Sequence, residues 1–203
     1  VAILLWSTMV GLIRSVSEGL GPVGGAAMIY TVSGLLCLAT VGFPDIKRFS
    51  KGYLIAGSVL FVSYEMCLAL SLGFAATRAQ AIEVGMVNYL WPSLTILFAI
   101  LFNGQKSTLW VIPGLAISLL GVGWVLGGEN GLHVHDIMQN IVSSPLSYGL
   151  AFAGAFIWAA YCTVTSRYAR GQNGITLFVL LTALSLWVKY AVSDQPEMVF
   201  SVP

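Results

Sequence analysis

Apolar segments about twenty residues long recur along almost the whole chain, separated by short breaks that contain polar residues, glycine or proline. An α-helix rises 1.5 Å per residue, so about twenty apolar residues are needed to cross the hydrocarbon core of a bilayer. Only 8% of the 203 residues are charged and 58% are apolar, whereas soluble domains carry about 25% charged residues. Backbone groups in lipid must be hydrogen-bonded internally, and strands need only half this length. The sequence therefore predicts an all-α polytopic membrane protein.

Seven membrane-spanning helices are predicted from these runs, the first of them too short to cross a bilayer by itself. They cover residues 1–13, 23–43, 52–76, 80–102, 108–127, 146–168 and 174–192. The breaks contain residues that end helices, such as Pro22 and Pro44. The longest break, residues 128–145, is polar and is predicted to be a periplasmic loop.

The basic residues indicate how the predicted helices are oriented. If the first helix runs from the cytoplasm outwards, six of the nine Lys and Arg residues fall in cytoplasmic connections or helix ends, and the longest outside loop has none. The six are Lys47, Arg48, Lys51, Lys106, Arg167 and Arg170. Because short cytoplasmic loops of membrane proteins carry an excess of Lys and Arg, the distribution predicts a multi-pass protein whose connections with these six residues are cytoplasmic.

Several function classes find no support in the sequence. The net charge is +1, so nucleic acid is not expected as a partner. No HExxH, GxSxG or paired-acid motif indicates an enzyme. His133 and His135 stand in the long break without further ligands, so neither a metal site nor a cofactor is predicted. The three cysteines lie within apolar runs, where they are expected to behave as small buried hydrophobic residues.

Two carboxylates fall within predicted spans. Glu65 lies near the centre of the third span and Glu83 lies near the outer end of the fourth. A charged side chain at the bilayer centre costs about 2.5–3.5 kcal/mol on insertion scales, so Glu65 is expected to face the interior of the bundle. It would titrate a proton, meet the ammonium group of a substrate, or form a structural hydrogen bond. Glu83 would serve one of these roles or reach the headgroup region.

Aromatic residues are found at the middle of three predicted spans. Tyr64, Trp91 and Trp158 lie at mid-depth, whereas Trp and Tyr usually collect at the two membrane interfaces. Their polar atoms need partners, which indicates either a shared, partly polar cavity or ordinary core packing. Asn88 belongs to a stripe of small or polar residues at helical spacing on the fourth span, and Tyr161 lies on a similar stripe with Trp158 on the sixth.

Proline and small residues characterise the fourth and fifth predicted spans. Pro92 lies inside the fourth span, where it would act as a hinge or as a fixed kink. The fifth span has small residues at helical spacing, which allow helices to approach closely within a subunit or between subunits. They are Gly114, Ser118, Gly121, Gly123 and Gly127. We expect either a monomer or a homodimer.

A weak internal repeat suggests how the spans are organised. Trp6 is followed by Arg14 at nearly the same spacing as Trp158 is followed by Arg167. If the sixth span begins a second unit, the repeat has five helices, and an odd number of helices inserts the second unit upside down. This predicts a first repeat with a truncated first helix, a loop, and the start of a second repeat whose remainder lies outside this chain, over residues 1–127, 128–145 and 146–203.

Four segments of the chain are distinctive: LWST, FVSYE, EVGMVNYLWP and GAFIWAAY, over residues 5–8, 61–65, 83–92 and 154–161. They resemble segments of the aromatic amino acid exporters of the EamA branch of the drug/metabolite transporter superfamily. The resemblance implies a ten-helix fold of two inverted five-helix repeats, of which about seven helices are present here. It also implies efflux of phenylalanine, tyrosine and tryptophan, with Tyr64, Tyr89, Trp91 and Trp158 lining a central cavity.

These inferences together predict a secondary transporter that works by alternating access. The predicted substrate-binding residues are Tyr64, Glu65, Glu83, Asn88, Tyr89, Trp91, Trp158 and Tyr161, with Pro92 as the hinge. An alternative is that the cargo is a cationic aromatic drug or another small metabolite, because aromatic rings beside a carboxylate also suit a cation. An intramembrane enzyme and a structural subunit without transport are more remote alternatives. The expected partners are a small-molecule substrate and the lipid bilayer.

Overall fold

The computed structural model describes residues 2–127, 131, 133–193 and 198, with side chains from residue 8 onwards except residue 136. Within these residues the fold consists of nine α-helices and a short 3-10 helix, Ile46–Arg48, with no strand. The α-helices are α1 (Ala2–Leu20), α2 (Pro22–Thr40), α3 (Lys51–Gly73), α4 (Arg78–Asn88), α5 (Trp91–Asn103), α6 (Val111–Leu126), α7 (Val134–Ser143), α8 (Pro145–Tyr168) and α9 (Ile175–Val192).

Five helical segments are long and apolar enough to cross a membrane. They are α2, α3, α8, α9 and the pair α4–α5 taken together over Arg78–Asn103. The apolar helix α6 has 16 residues and is shorter. The prediction of an all-helical protein with several membrane spans is confirmed. The boundaries of the two repeats stay a prediction.

Helix termini follow the local sequence. Ser50 accepts a hydrogen bond from the amide of Tyr53 at the start of α3, and Thr77 does the same for Gln80 at the start of α4. Such caps satisfy amides that have no partner inside the helix. Gly104 ends α5 in the left-handed conformation, with φ of 65°, where glycine carries no steric penalty.

The predicted end of the first helix near residue 13 is wrong, because α1 continues to Leu20. Arg14 therefore lies inside a helix. Its guanidinium donates to the carbonyl oxygens of Gly73 at 3.2 Å and Ala75 at 2.6 Å, and to Glu18 at 3.1 Å. These acceptors stabilise the charge in place, so the helix does not have to stop at the arginine.

The predicted fourth span, residues 80–102, is divided into two helices. The helix α4 ends at Asn88 and α5 begins at Trp91, with Pro92 in its first turn. Proline has no N–H group and its ring clashes with the carbonyl four residues earlier, so a helix is interrupted just before it. The break explains why one apolar run yields two elements.

The predicted loop over residues 128–145 contains a helix, α7. Its Ile137 and Ile141 pack against the buried core, and Gln80 on α4 donates to Ser143 at the end of α7 at 3.0 Å. A ten-residue helix with one apolar face has no long apolar run, so its sequence does not resemble a membrane span.

Two long helix pairs hold the bundle together, α3 with α8 and α2 with α9. Between α2 and α9, the indole N–H of Trp187 donates to the hydroxyl of Thr31 at 2.9 Å. A Cβ atom added to Gly34 would lie 2.7 Å from Cδ2 of Leu180, so the glycine permits this close approach. The small residues of α6 behave differently, because a Cβ at Gly114 or Gly121 would meet no atom of the described residues within 4 Å. Close packing between subunits through these glycines stays a prediction.

The bundle has two ends, each tied by polar contacts. At one end, which we call the Arg14 end, Arg78 donates to Glu18 at 2.8 Å. At the other, the Arg167 end, Asn103 donates to Ser166 at 2.9 Å and Arg167 to the carbonyl oxygen of Phe102 at 3.2 Å. The helix order places the six basic residues predicted as cytoplasmic at the Arg167 end. The side of the membrane that this end faces stays a prediction.

Candidate functional site

Trp158, near the middle of α8, lies at the centre of a group of aromatic rings. Its ring centroid is 4.3 Å from that of Tyr64 on α3 and 4.9 Å from that of Tyr161 on α8, with which it stacks. Trp91 at the start of α5 meets it edge to face at 6.3 Å. The structure therefore brings together four of the predicted site residues, which we call the Trp158 cluster: Tyr64, Trp91, Trp158 and Tyr161.

The cluster extends to two phenylalanines that the sequence analysis missed. Phe61 lies 6.0 Å from Trp158 and 5.4 Å from Tyr161, and Phe178 of α9 lies 5.6 Å from Phe61. Phe61 precedes Tyr64 by three residues on α3, so helical spacing could have placed it on the same face. Phe178 has no such signal, because only the packing of α9 brings it to the cluster.

Asn88, the last residue of α4, supplies a polar group beside the rings. It is 6% exposed, and its amide Nδ2 donates to the hydroxyl of Tyr64 at 3.2 Å. Its Oδ1 atom is buried without a hydrogen-bond partner. A Cβ atom on Gly154 would lie 3.4 Å from this oxygen, so the glycine lets α8 approach the amide. A buried acceptor without a partner costs free energy that a donor from a ligand would recover.

Glu65 follows Tyr64 in sequence but contacts a different helix. The hydroxyl of Tyr30 on α2 donates to its Oε2 atom at 2.5 Å. The side chain is half-buried and belongs to the interior of the bundle, as the sequence predicted. Successive residues of a helix point about 100° apart, so Tyr64 and Glu65 serve different interfaces of α3. A direct role of Glu65 in substrate binding stays a prediction.

Glu83 is hydrogen-bonded to a tyrosine outside the Trp158 cluster, and Tyr89 lies at the end of α4 between Asn88 and Trp91. The hydroxyl of Tyr148 on α8 donates to Oε2 of Glu83 at 2.6 Å, towards the Arg14 end. Glu83 is five residues before Asn88, or about 7.5 Å along α4. Tyr89 caps the end of α4 and is 39% exposed. Their assignment to the substrate site stays a prediction.

The break between α4 and α5 adjoins the cluster directly. Asn88 ends α4, Trp91 begins α5, and Pro92 follows. Asn88, which contacts the cluster, and Trp91, which belongs to it, thus lie on opposite sides of a break in the helix. The role of Pro92, as a hinge or as a fixed kink, stays a prediction.

Metal ligation finds no support in the part of the chain that the structure describes. No group of three or more His, Cys, Asp or Glu residues there could hold a metal ion. His133 and His135 flank the start of α7, and His135 lies 2.9 Å from the amide of Gln139.

Comparison with known proteins identifies close relatives along the whole chain. The chain is 73% identical over 203 residues to the aromatic amino acid exporter YddG of Escherichia coli and 74% identical to that of Salmonella typhimurium, and it covers 69% of each. It is 28% identical over 188 residues to the YddG protein of Ancylobacter novellus, of which it covers 62%. No family model and no solved structure matches the chain.

The resemblance inferred from the segments around Tyr64, Trp91 and Trp158 is confirmed by these relatives, because the alignment covers every residue of the chain at 73–74% identity. The chain belongs to the family of the aromatic amino acid exporter YddG.

Proposed function

We propose that the protein exports aromatic amino acids across the bacterial inner membrane and that the Trp158 cluster binds the substrate ring. The observation that carries this proposal is the packing of the Trp158 ring against those of Tyr64, at 4.3 Å, and Tyr161, at 4.9 Å, near the middle of α8. The names of the relatives favour amino acids over aromatic drugs as the cargo.

Ring-to-ring contacts supply the recognition of the substrate. An aromatic pair contributes about 0.5–1.5 kcal/mol beyond the burial of its area. In the structure the rings contact one another, so a substrate would replace these contacts with its own when the cluster opens. A phenyl, phenol or indole ring is thereby favoured over an aliphatic side chain, which stacks poorly.

Polar recognition falls to Asn88 and its partner Tyr64. The unpaired Oδ1 of Asn88 accepts a hydrogen bond from the substrate once α8 moves away at Gly154. We place the movement at the break between α4 and α5, because it separates Asn88 from Trp91. Opening of the site alternately to the two sides of the membrane completes the cycle.

The protein is proposed to move its substrate without changing it and to contact lipid directly. The substrate leaves chemically unaltered, so the protein is a transporter and not an enzyme. Lipid contacts the apolar side chains exposed on α2 and α6, such as Leu35, Leu36, Leu119 and Leu120. The protein functions as a monomer or a homodimer.

The test uses the full-length protein in proteoliposomes loaded with unlabelled tryptophan and measures uptake of labelled tryptophan. Trp158→Ala removes the ring at the centre of the cluster, so we expect exchange to fall by about tenfold or more, since 1.4 kcal/mol corresponds to a factor of ten. Trp110→Ala is the matched control, because Trp110 is 82% exposed and lies outside the cluster. Equal rates for the two variants at equal protein content would contradict the assignment of the site.

A further inference from the structure

Glu65 carries a carboxylate near the middle of a membrane span, and this carboxylate is not part of the Trp158 cluster. It lies within α3, eight residues before the helix ends at Gly73, or about 12 Å along the axis. Keeping an ionised carboxylate at such a depth costs at least about 2.5–3.5 kcal/mol. An ionisable residue at this depth is therefore a candidate functional group.

The contact that Glu65 makes is with a neutral donor. The hydroxyl of Tyr30 donates to Oε2 at 2.5 Å, and Tyr30 is 9% exposed between α2 and its neighbours. Within the residues that the structure describes, none of the three ion pairs includes Glu65. A phenol stabilises a carboxylate without fixing its charge, and the carbonyl oxygen of a protonated carboxyl accepts the same hydrogen bond. The pair is therefore compatible with both protonation states.

The other titratable groups on neighbouring helices are engaged elsewhere. On α1, Arg14 is bound to the carbonyl oxygens of Gly73 and Ala75 at the end of the bundle. On α8, Tyr161 stacks on Trp158, and Trp158 packs against Tyr64. The next residue of α8, Cys162, is half-buried.

On α9, Lys189 lies in the last turn of the helix. The ring of Tyr190 would be 3.2 Å from a Cβ atom on Gly24, and Gly24 is six residues, or about 9 Å, from Tyr30 along α2. On α2 itself, Tyr30 is the group that meets Glu65. Arg14 and Lys189 thus belong to the Arg14 end and not to the depth of the carboxylate.

We propose that the Glu65–Tyr30 pair is a proton-binding site, separate from the substrate site, that couples amino acid export to the pH gradient. The inference rests on the proposed function. Glu65 takes up a proton from the periplasmic side, becoming a carboxylic acid, and releases it to the cytoplasm as the substrate moves the opposite way. No covalent bond to the substrate is formed or broken, and one proton enters for each proton released.

The coupling runs through α3, because adjacent residues of this helix serve the two sites. Tyr64 contacts Trp158 and Asn88, and Glu65 contacts Tyr30 on α2. A change of charge at Glu65 alters the hydrogen bond to α2, and any rotation of α3 that follows moves the ring of Tyr64. Binding at one site thereby changes the affinity at the other.

The test compares two measurements on full-length protein in proteoliposomes. The first is exchange of labelled for unlabelled tryptophan at equal pH, which requires the transporter alone. The second is accumulation of labelled tryptophan driven by an acidic interior, which requires coupling to protons. Glu65→Gln keeps the size of the side chain and an acceptor for Tyr30 but does not titrate. Asp45→Asn makes the same acid-to-amide change on an exposed loop and is the control.

We expect the unmodified protein and Asp45→Asn to show both activities, and Glu65→Gln to exchange tryptophan but to lose its pH-driven accumulation. Accumulation by Glu65→Gln to the ratio of the unmodified protein would overturn the proposal, as would exchange without accumulation in the unmodified protein. If Glu65→Gln loses both exchange and calorimetric tryptophan binding, Glu65 is a substrate ligand and the separate proton site is refuted. Absence of exchange in the unmodified protein would instead contradict the proposed function.

Discussion

Tyr64 shows how much of the candidate site depends on a single side chain. Its ring contacts Trp158, and its hydroxyl accepts the hydrogen bond from Asn88. It therefore joins the apolar and polar parts of the site. Its hydrogen bond also orients the amide of Asn88, whose second polar atom is free for a ligand.

A double-mutant cycle tests this link. Tyr64→Phe and Asn88→Ala should each weaken tryptophan binding, and the double variant should be about as weak as the weaker single variant. The expected coupling is about 0.5–1.5 kcal/mol, the net value of one hydrogen bond. Calorimetric titration of the purified full-length protein measures the affinities. Ser118→Ala, which breaks the hydrogen bond between Ser118 and Ser93, is the control, and additive effects at Tyr64 and Asn88 would contradict the link.

The sequence predicted candidate residues for the site, but it did not predict which of them lie next to one another. Helical spacing and mid-span depth selected Tyr64, Trp91 and Trp158, which the structure brings together. The same depth argument included Glu65, whose partner Tyr30 depends on which face of α3 meets α2. That choice of neighbour is a property of tertiary packing, which a single helix pattern does not contain.

Several helix boundaries could not be predicted from the sequence. Apolar runs located the spans, but α7 has only one apolar face and the fourth run is broken at Pro92. The extension of α1 past Arg14 depends on carbonyl oxygens from the α3–α4 turn, almost sixty residues away. Propensity and run length describe one helix at a time, so contacts of this kind were not predictable.

The break between α4 and α5 makes a prediction about turnover. Proline within a helix costs about 3 kcal/mol, so Pro92→Ala removes the main reason for the break. We expect a straighter, stiffer α4–α5 segment, an exchange rate lower by about tenfold, or 1.4 kcal/mol, and nearly unchanged tryptophan affinity.

Exchange kinetics and calorimetry in parallel measure the two quantities for Pro92→Ala. Pro113→Ala is the control, because Pro113 lies in the first turn of α6, where proline is tolerated. A normal exchange rate in Pro92→Ala would show that the proline is a fixed kink.

The distribution of basic residues and the packing of the helices agree on which connections lie at the same end of the bundle. The two ends of the bundle carry different polar contacts, and the six basic residues predicted as cytoplasmic share the Arg167 end. The sequence thus predicted which connections lie on the same side. It did not show how the helices neighbour one another, because the pairs α3–α8 and α2–α9 join distant parts of the chain.

The orientation is testable by labelling in intact cells. In a background without the three native cysteines, a membrane-impermeant thiol reagent should label Ser143→Cys strongly and Lys106→Cys weakly. The reason is that Ser143 lies at the Arg14 end, which the positive-inside rule places outside. Permeabilised cells should label both positions equally, which controls for reactivity. The reverse pattern in intact cells would show that the bundle has the opposite orientation.

The packing of α2 against α9 also has a consequence for biosynthesis. The Thr31 hydroxyl and its donor Trp187 are 156 residues apart in the chain. At bacterial synthesis rates of about 5–20 residues per second, Trp187 leaves the ribosome roughly 10–30 s after Thr31. During that interval the newly inserted α2 presents an unfilled flank at Gly34 to the translocon, to lipid or to a chaperone. The contact between α2 and α9 forms only when α9 has been synthesised.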